Sequence, residues 1–414
     1  MILKHGGEKI LFEAGVKNHT CCRCGNQNKS LFYTYYSHYD QCSVTYCMHC
    51  IILGRSDSVT PLYGMETKRF KEEIDYHLDF QLNDIQIQAS DRIVSAIHNH
   101  SNLLLYAVTG AGKTEITFEG IKIARRKGLN VAFVSPRIDV VKEVYLRLTD
   151  AFKHTRIDLM YSEVKNVLSH AFTVCTVHQL MNYIQHYDVI IVDEVDAFPL
   201  ADEPLLMSII LRALSANGSL ILMTATPTRE MIRLTGKDNV VTIARRYHGH
   251  DLAIPKVYYH AVDTYIKKNK TSPVLDQLVG KIIEQDRKVL IFLPEIKMLE
   301  QLGQLMKDKF PDLQAVHSGD RYRYEKVQLM RDNKVKVLLT TTILERGVTF
   351  PNLDVIVVNA HRFDSAALIQ ICGRVGRKPK DPLGNILFLS ESNTRSIHQT
   401  IKKIKAFNQG RAKL

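Results

Sequence analysis

From about residue 79 the chain alternates between two textures. Short unbroken apolar runs, LLLYAV (103–108), NVAFV (130–134), FTVCTV (172–177), DVIIV (188–192) and SLILM (219–223), are separated by stretches whose apolar positions recur every three or four residues. Such runs lack the in–out alternation of a half-exposed strand, so they predict strands of a parallel sheet covered on both faces. The intervening stretches 113–127, 139–152 and 204–214 predict the covering helices. A second series repeats the plan: KVLIFL (288–293), LQAVH (313–317), KVLLT (336–340), DVIVV (354–358) and NILFL (385–389). Between the series, ARRYHGHDLAIPK (244–256) reads as a linker or crossover. The first 60 or so residues show little helical periodicity and are rich in Cys, His and Tyr. The expected organisation is a small module (1–65) followed by two α/β domains, 66–248 and 249–414.

Composition sharpens this outline. At ~150 residues per domain, 414 residues accommodate two or three domains with real cores. Lys and Arg exceed Asp and Glu by 55 − 43 = 12, an excess that suits a polyanionic partner. No apolar stretch approaches the ~18 residues of a membrane span, and the start, MILKHGGEKILF, lacks the apolar core of a signal peptide. A cytoplasmic protein is expected. Six of the eight cysteines fall between Cys21 and Cys50, which in that compartment points to metal ligation rather than disulfides. Cys21 and Cys24, then Cys47 and Cys50, form two CxxC pairs able to offer four thiolates to one tetrahedral, structural Zn²⁺. Cys22 and Cys42 leave the ligand choice open, with His38 and His49 as possible substitutes. Nearby aromatics (Phe32, Tyr33, Tyr35, Tyr36, Tyr39) fit either a small core or a base-stacking surface.

The sharpest chemical signal is Ala107-Val108-Thr109-Gly110-Ala111-Gly112-Lys113-Thr114, between an apolar strand and a helical stretch. Glycines here let backbone N–H groups curl around phosphate, Lys113 can reach the β- and γ-phosphates of ATP, and the Thr114 hydroxyl can ligate Mg²⁺. The strict pattern has Gly where this chain has Ala107. Eighty residues on, Asp193-Glu194-Val195-Asp196 follows a fully apolar strand. Asp193 is placed to hold Mg²⁺ through water and Glu194 to act as general base on the attacking water. Thr224-Ala225-Thr226-Pro227 follows another apolar strand and can relay contact from the acidic motif. In the second half, Gln370-Ile371-Cys372-Gly373-Arg374-Val375-Gly376-Arg377 sets two arginines three apart, as if on one helix face, where they could stabilise charge on a transferring phosphate.

AVTGAGKT, SPR, TVHQL, DEVD, TATP, TTTILERGVTFPNLDV and QICGRVGR occur in the order and spacing of superfamily 2 helicases and translocases, which the chain resembles over nearly its whole length. With CxRCGN (Cys21 to Asn26) added, the chain is similar to the ComFA family of late competence proteins. The resemblance implies two tandem RecA-like parallel-sheet domains behind an N-terminal zinc module, and a DNA-stimulated ATPase acting as a single-stranded DNA translocase in competence DNA uptake. It implies that Gln86 recognises adenine, with Thr109, Ala111 and Gln370 beside the nucleotide. It also implies that Pro136, Arg137, Thr176, His178, Gln179, Thr340, Thr341 and Arg346 contact nucleic acid. Implied partners are single-stranded DNA, the competence membrane channel and other competence proteins on the cytosolic face, with a possible peripheral location at the inner face of the membrane. Thr349 replaces the usual ribose-contacting aspartate, and Gln370 stands where related motifs begin with His. Two rival readings are a replication-restart or repair helicase and a nucleotide-gated DNA-binding adaptor without processive movement.

Overall fold

The computed structural model describes residues 2–4, 10–161, 169–345, 350–377 and 381–410. It divides into two compact units, Met1–Tyr106 with Lys113–Val241, and Ala107–Gly112 with Thr242–Leu414.

The first unit begins with small antiparallel elements. Strands β1 (Ile2–Lys4), β2 (Ile10–Ala14) and β7 (Pro61–Met65) form a sheet in the order β1-β7-β2. Between them lie two ribbons, β3 (Val16–Lys17) with β4 (Thr20–Cys21), and β5 (Phe32–Ser37) with β6 (Cys42–Cys47). A seven-stranded sheet follows, built from β8 (Leu103–Ala107), β9 (Val131–Ser135), β10 (Asp158–Met160), β11 (Phe172–Thr176), β12 (Tyr187–Val192), β13 (Leu214–Thr224) and β14 (Val240–Ile243). Its order is β10-β11-β9-β12-β13-β8-β14. The pairs from β10 through to β8 are all parallel. Strands β8, β9 and β11 are buried at every position, as the unbroken apolar runs require of a sheet covered on both faces.

The second unit holds a six-stranded parallel sheet of β15 (Lys256–Tyr259), β16 (Lys288–Phe292), β17 (Gln314–Val316), β18 (Val337–Thr340), β19 (Leu353–Val358) and β20 (Ile386–Ser390). The order is β15-β20-β19-β16-β18-β17. It has its own apolar cluster, including Val289, Ile291, Leu299, Leu302, Leu339 and Ile356.

All ten apolar runs become strands. The stretch expected to be one helix over 113–127 is two, Lys113–Ile116 and Phe118–Arg126, parted at Thr117, whose hydroxyl and N–H both bond the Thr114 carbonyl. Helices Ile138–Ala151 and Pro204–Ala213 lie within a residue of expectation. No described helix is long and apolar enough to cross a membrane.

Candidate nucleotide site and cysteine centre

Strands β12, β13 and β8 are neighbours and parallel, so the loops leaving their carboxyl ends emerge along one edge of the sheet. This is where open α/β sheets place ligands. The loop after β8 turns through Gly110 and Gly112, at φ +83° and +75°, a region in which a side chain is strained. Ala111 N–H closes the turn on the Val108 carbonyl at 3.2 Å. Ala107, where the strict pattern has Gly, is the buried last residue of β8 and is not among the positive-φ positions, so a methyl is tolerated there. Lys113 and Thr114 then open the helix, which directs its N-terminal N–H groups at the loop.

The loop after β12 carries Asp193, buried, with its N–H bonded to the Val134 carbonyl at 2.8 Å. One Asp193 carboxylate oxygen accepts from Glu194 N–H at 2.9 Å and lies 3.6 Å from Lys113 Nζ. Glu194 has φ +53°, uncommon for a residue with a side chain and the kind of strain that collects at functional sites. After β13, the Thr226 hydroxyl donates to Asp196, so the third motif meets the second through a direct hydrogen bond. Lys113, Asp193, Glu194, Asp196 and Thr226 are thus assembled from three segments far apart in the sequence. A lysine ammonium beside a buried carboxylate at a phosphate-binding turn fits Mg²⁺-nucleotide, with Thr114 and Asp193 as the magnesium-side groups.

Gln86 sits on the first turn of the helix Asp84–His98. Its side-chain carbonyl accepts from Asn83 N–H at 3.0 Å while Asn83 caps Gln86 N–H at 3.0 Å, so one end of this amide is engaged in a capping box. In the second unit the Thr109 hydroxyl donates to Gln370 Oε1 at 3.3 Å. The two arginines do not share a helix face, contrary to the sequence expectation. The helix Ser365–Cys372 ends at the Gly373 cap, Arg374 lies in the turn that follows and Arg377 just beyond that turn. Gly376 sits there at φ +65°, where an added Cβ would meet the Pro382 carbonyl oxygen at 2.3 Å. Arg374 is buried and its Nε donates to the Glu345 carbonyl at 2.7 Å; Arg377 Nε donates to the Gly373 carbonyl at 2.9 Å.

The described residues of the expected nucleic-acid set lie at strand ends or just after them. Pro136 and Arg137 follow β9 and lead into the helix Ile138–Ala151. Thr176 ends β11, and His178 and Gln179 lie on the 3-10 helix Val177–Asn182. Burial holds the His178 imidazole below its usual pKa, against the pull of the Glu203 carboxylate. Thr340 ends β18 and Thr341 follows it. Arg346 and Thr349 lie outside the described residues.

Cys21, Cys24, Cys47 and Cys50 are all buried, and their sulfurs lie within 4.8 Å of one another. Two Sγ–Sγ separations are 3.6 Å (Cys21–Cys50) and 3.7 Å (Cys24–Cys47). Four thiolates at ~2.3 Å from Zn²⁺ in a tetrahedron stand about 3.8 Å apart, so the donor set fits a closed structural zinc. Gly25, at φ +79°, donates its N–H to the Cys21 carbonyl at 2.8 Å and makes the knuckle turn. Cys22 and Cys42 lie outside the cluster. The cysteine centre is docked, not tethered. Arg23, inside the first CxxC, donates to the Gly54 and Leu53 carbonyls at 3.0 Å each and to Asn182 Oδ1 at 2.7 Å. Arg212 donates to the Cys22 carbonyl, and His49 Nε2 lies 2.7 Å from Glu203. The four cysteines belong to one apolar cluster with Val177, Leu180, Leu206 and Ile209.

Comparison with known proteins bears on this arrangement. Residues 5–64 match the competence protein ComFA N-terminal domain, residues 79–229 the type III restriction enzyme res subunit, and residues 271–379 the helicase conserved C-terminal domain. The chain is 38% identical over 372 residues to competence protein ComFA of Streptococcus pneumoniae, covering 88% of this chain and 86% of that one. The chain belongs to the ComFA family. Competence protein ComFA of Bacillus subtilis is 35% identical over 407 residues, covering 96% and 87%. Among solved structures, S. cerevisiae Dbp5 bound to RNA and ADP BeF3 superposes with a TM-score of 0.59 at 19% identity, covering 80% of this chain and 89% of that one. RecG bound to a three-way DNA junction gives 0.56 at 17% identity, covering 81% and 48%. These likenesses show the two-domain helicase fold. The chain is accordingly a helicase-like, nucleotide-hydrolysing enzyme with a four-cysteine N-terminal centre. Two arginines within it carry little signal in the sequence: Arg23, marked only by its place inside CxRC, and Arg246, in the segment that reads as a linker or crossover.

Proposed function

We propose that this ComFA-family protein is a DNA-stimulated ATPase that translocates on single-stranded DNA and drives uptake of transforming DNA at the inner face of the cell membrane. The observation that carries the ATPase half is the placement of Lys113 3.6 Å from Asp193 beside the glycine turn. Lys113 neutralises charge on the β- and γ-phosphates, Thr114 and Asp193 hold Mg²⁺, and Glu194 takes the proton of the attacking water. Arg374 and Arg377 stabilise the charge of the transferring phosphoryl group, and Gln86 reads adenine. Zinc, held by Cys21, Cys24, Cys47 and Cys50, supplies folding free energy rather than chemistry.

The DNA half rests on Pro136, Arg137, Thr176, His178, Gln179, Thr340, Thr341 and Arg346, backbone-contact positions of the motifs this chain shares with nucleic-acid motors, and on the net charge of +12. Competence-channel and cytosolic competence proteins are the proposed partners. The test is the ATPase rate without nucleic acid and with single-stranded DNA, duplex DNA or RNA, followed by a translocation assay. Stimulation by single-stranded DNA above the other three is expected. Equal rates in all four conditions, or stimulation without movement, would reduce the protein to a nucleotide-gated adaptor.

A further inference from the structure

Three arginine side chains are among the largest fully buried groups of the protein: Arg125, Arg246 and Arg374. Two of them are compensated. Arg125 pairs with Glu72 at 2.9 Å and donates to the Leu129 carbonyl at 2.7 Å, and Arg374 donates to the Glu345 carbonyl. Arg246 differs. Only 2% of it is exposed, Nη1 donates to the Gly376 carbonyl at 2.6 Å, and Nε and Nη2 have no partner among the described residues. No ion pair involving Arg246 is found among the described residues, and Arg377 is close enough to repel it. Burial, with that repulsion, pulls its pKa down to about 10, still charged at neutral pH. A guanidinium taken out of water with two open donors and no counter-charge is costly and calls for an anion.

Its surroundings say which anion. Arg246 lies against the phosphate-binding turn: a Cβ on Gly110 would stand 3.7 Å from Arg246 Cγ and 3.8 Å from its Nε. The next residue also holds that turn, Tyr247 N–H donating to the Gly110 carbonyl at 3.1 Å. All these residues, Ala107–Gly112 included, belong to the second compact unit. We propose that Arg246 is a further phosphate ligand of the nucleotide site, its open Nε and Nη2 donating to a phosphate oxygen of the nucleotide bound at the Gly110–Gly112 turn. Such a planar fork suits a phosphate better than a carbonyl does. The inference rests on the nucleotide reading above and adds a residue to it that lies outside the motifs that carry the family resemblance.

The test uses the full-length, zinc-loaded protein and its Arg246→Met and Arg246→Lys variants. It reads equilibrium affinity for a non-hydrolysable ATP analogue with Mg²⁺, and the unfolding temperature without nucleotide. Replacing an uncompensated buried charge by an apolar side chain of similar length is neutral or stabilising. Arg246→Met is therefore expected to unfold at the parental temperature or above it, while its affinity for the analogue falls tenfold or more. Arg246→Lys, which keeps a point charge without the fork, should recover part of that affinity. An Arg246→Met protein that binds the analogue as tightly as the parent would overturn the proposal, and so would one too unstable to fold, since the guanidinium would then be a strut for Gly376. Failure of the parent itself to bind the analogue is a different result and would sink the nucleotide site as a whole.

Discussion

At the scale of single residues, placement was legible wherever side chain and spacing alone set a position in the fold. Lys113, directly after Gly112 in a strand–turn–helix context, is such a case, and so is Asp193 after an apolar strand: both positions are dictated by backbone geometry the pattern encodes. The role proposed for Arg246 was not legible, because it rests on burial and on two open donors that only the folded chain reveals. Two substitutions test the roles proposed for Lys113 and Glu194. Lys113→Ala removes the charge facing the phosphates, so ATP hydrolysis should fall by about 10²-fold or more, while DNA binding measured by anisotropy survives. Near-parental ATPase in that variant would refute the phosphate-loop assignment. Glu194→Gln preserves size and hydrogen bonding but cannot take the water's proton. Single-turnover hydrolysis should slow by roughly 10²–10⁴-fold with ATP affinity retained; turnover at the parental rate would remove Glu194 from the role of base.

At the scale of elements, the strands that carry motifs were legible, and three of the four edge strands of the two large sheets were not; the fourth, β17, is the expected run LQAVH. β10, β14 and β15 each lie at an end of their sheet, and none was expected. A central strand of a parallel sheet is buried on both faces and must be continuously apolar, whereas an edge strand is not so constrained: β15 reads KVYY and has no fully buried residue. The end of the helix Ser365–Cys372 was missed for a related reason, since helical spacing of Arg374 and Arg377 says nothing about the Gly373 cap between them and the helix. The 3-10 helix Val177–Asn182 shows how an element can be held from outside its own domain's sheet. Asn182 at its end receives the Arg23 guanidinium, which also ties Leu53 and Gly54 beside Cys50. Arg23→Ala leaves two carbonyls and the Asn182 amide oxygen without this donor, a loss of about 1–3 kcal/mol. Amide hydrogen exchange over residues 177–182 should accelerate in that variant while zinc content stays at the parental value. Unchanged exchange in that segment would show that the arginine does not brace it.

At the scale of the whole molecule, the order of module and domains was legible from composition and periodicity, but the docking of the cysteine centre was not. Clustered CxxC pairs point to a metal site; they carry no information about which apolar surface the knuckles lie on. In the folded chain that surface is the first α/β layer, where Cys21, Cys24, Cys47 and Cys50 share a cluster with Val177, Leu180, Leu206 and Ile209. Zinc removal should therefore reach beyond the module. Four thiolates freed of metal repel one another and take up protons or water, and the apolar contacts around them loosen with them. Treatment with a strong chelator should lower the unfolding temperature of the first unit as a whole in calorimetry and open the segment around 177–182 to protease. The transition of the second unit, which has a separate apolar cluster, should stay in place. Complete loss of zinc with no movement of the first unit's transition would show that the knuckles merely rest on a core that is sufficient without them.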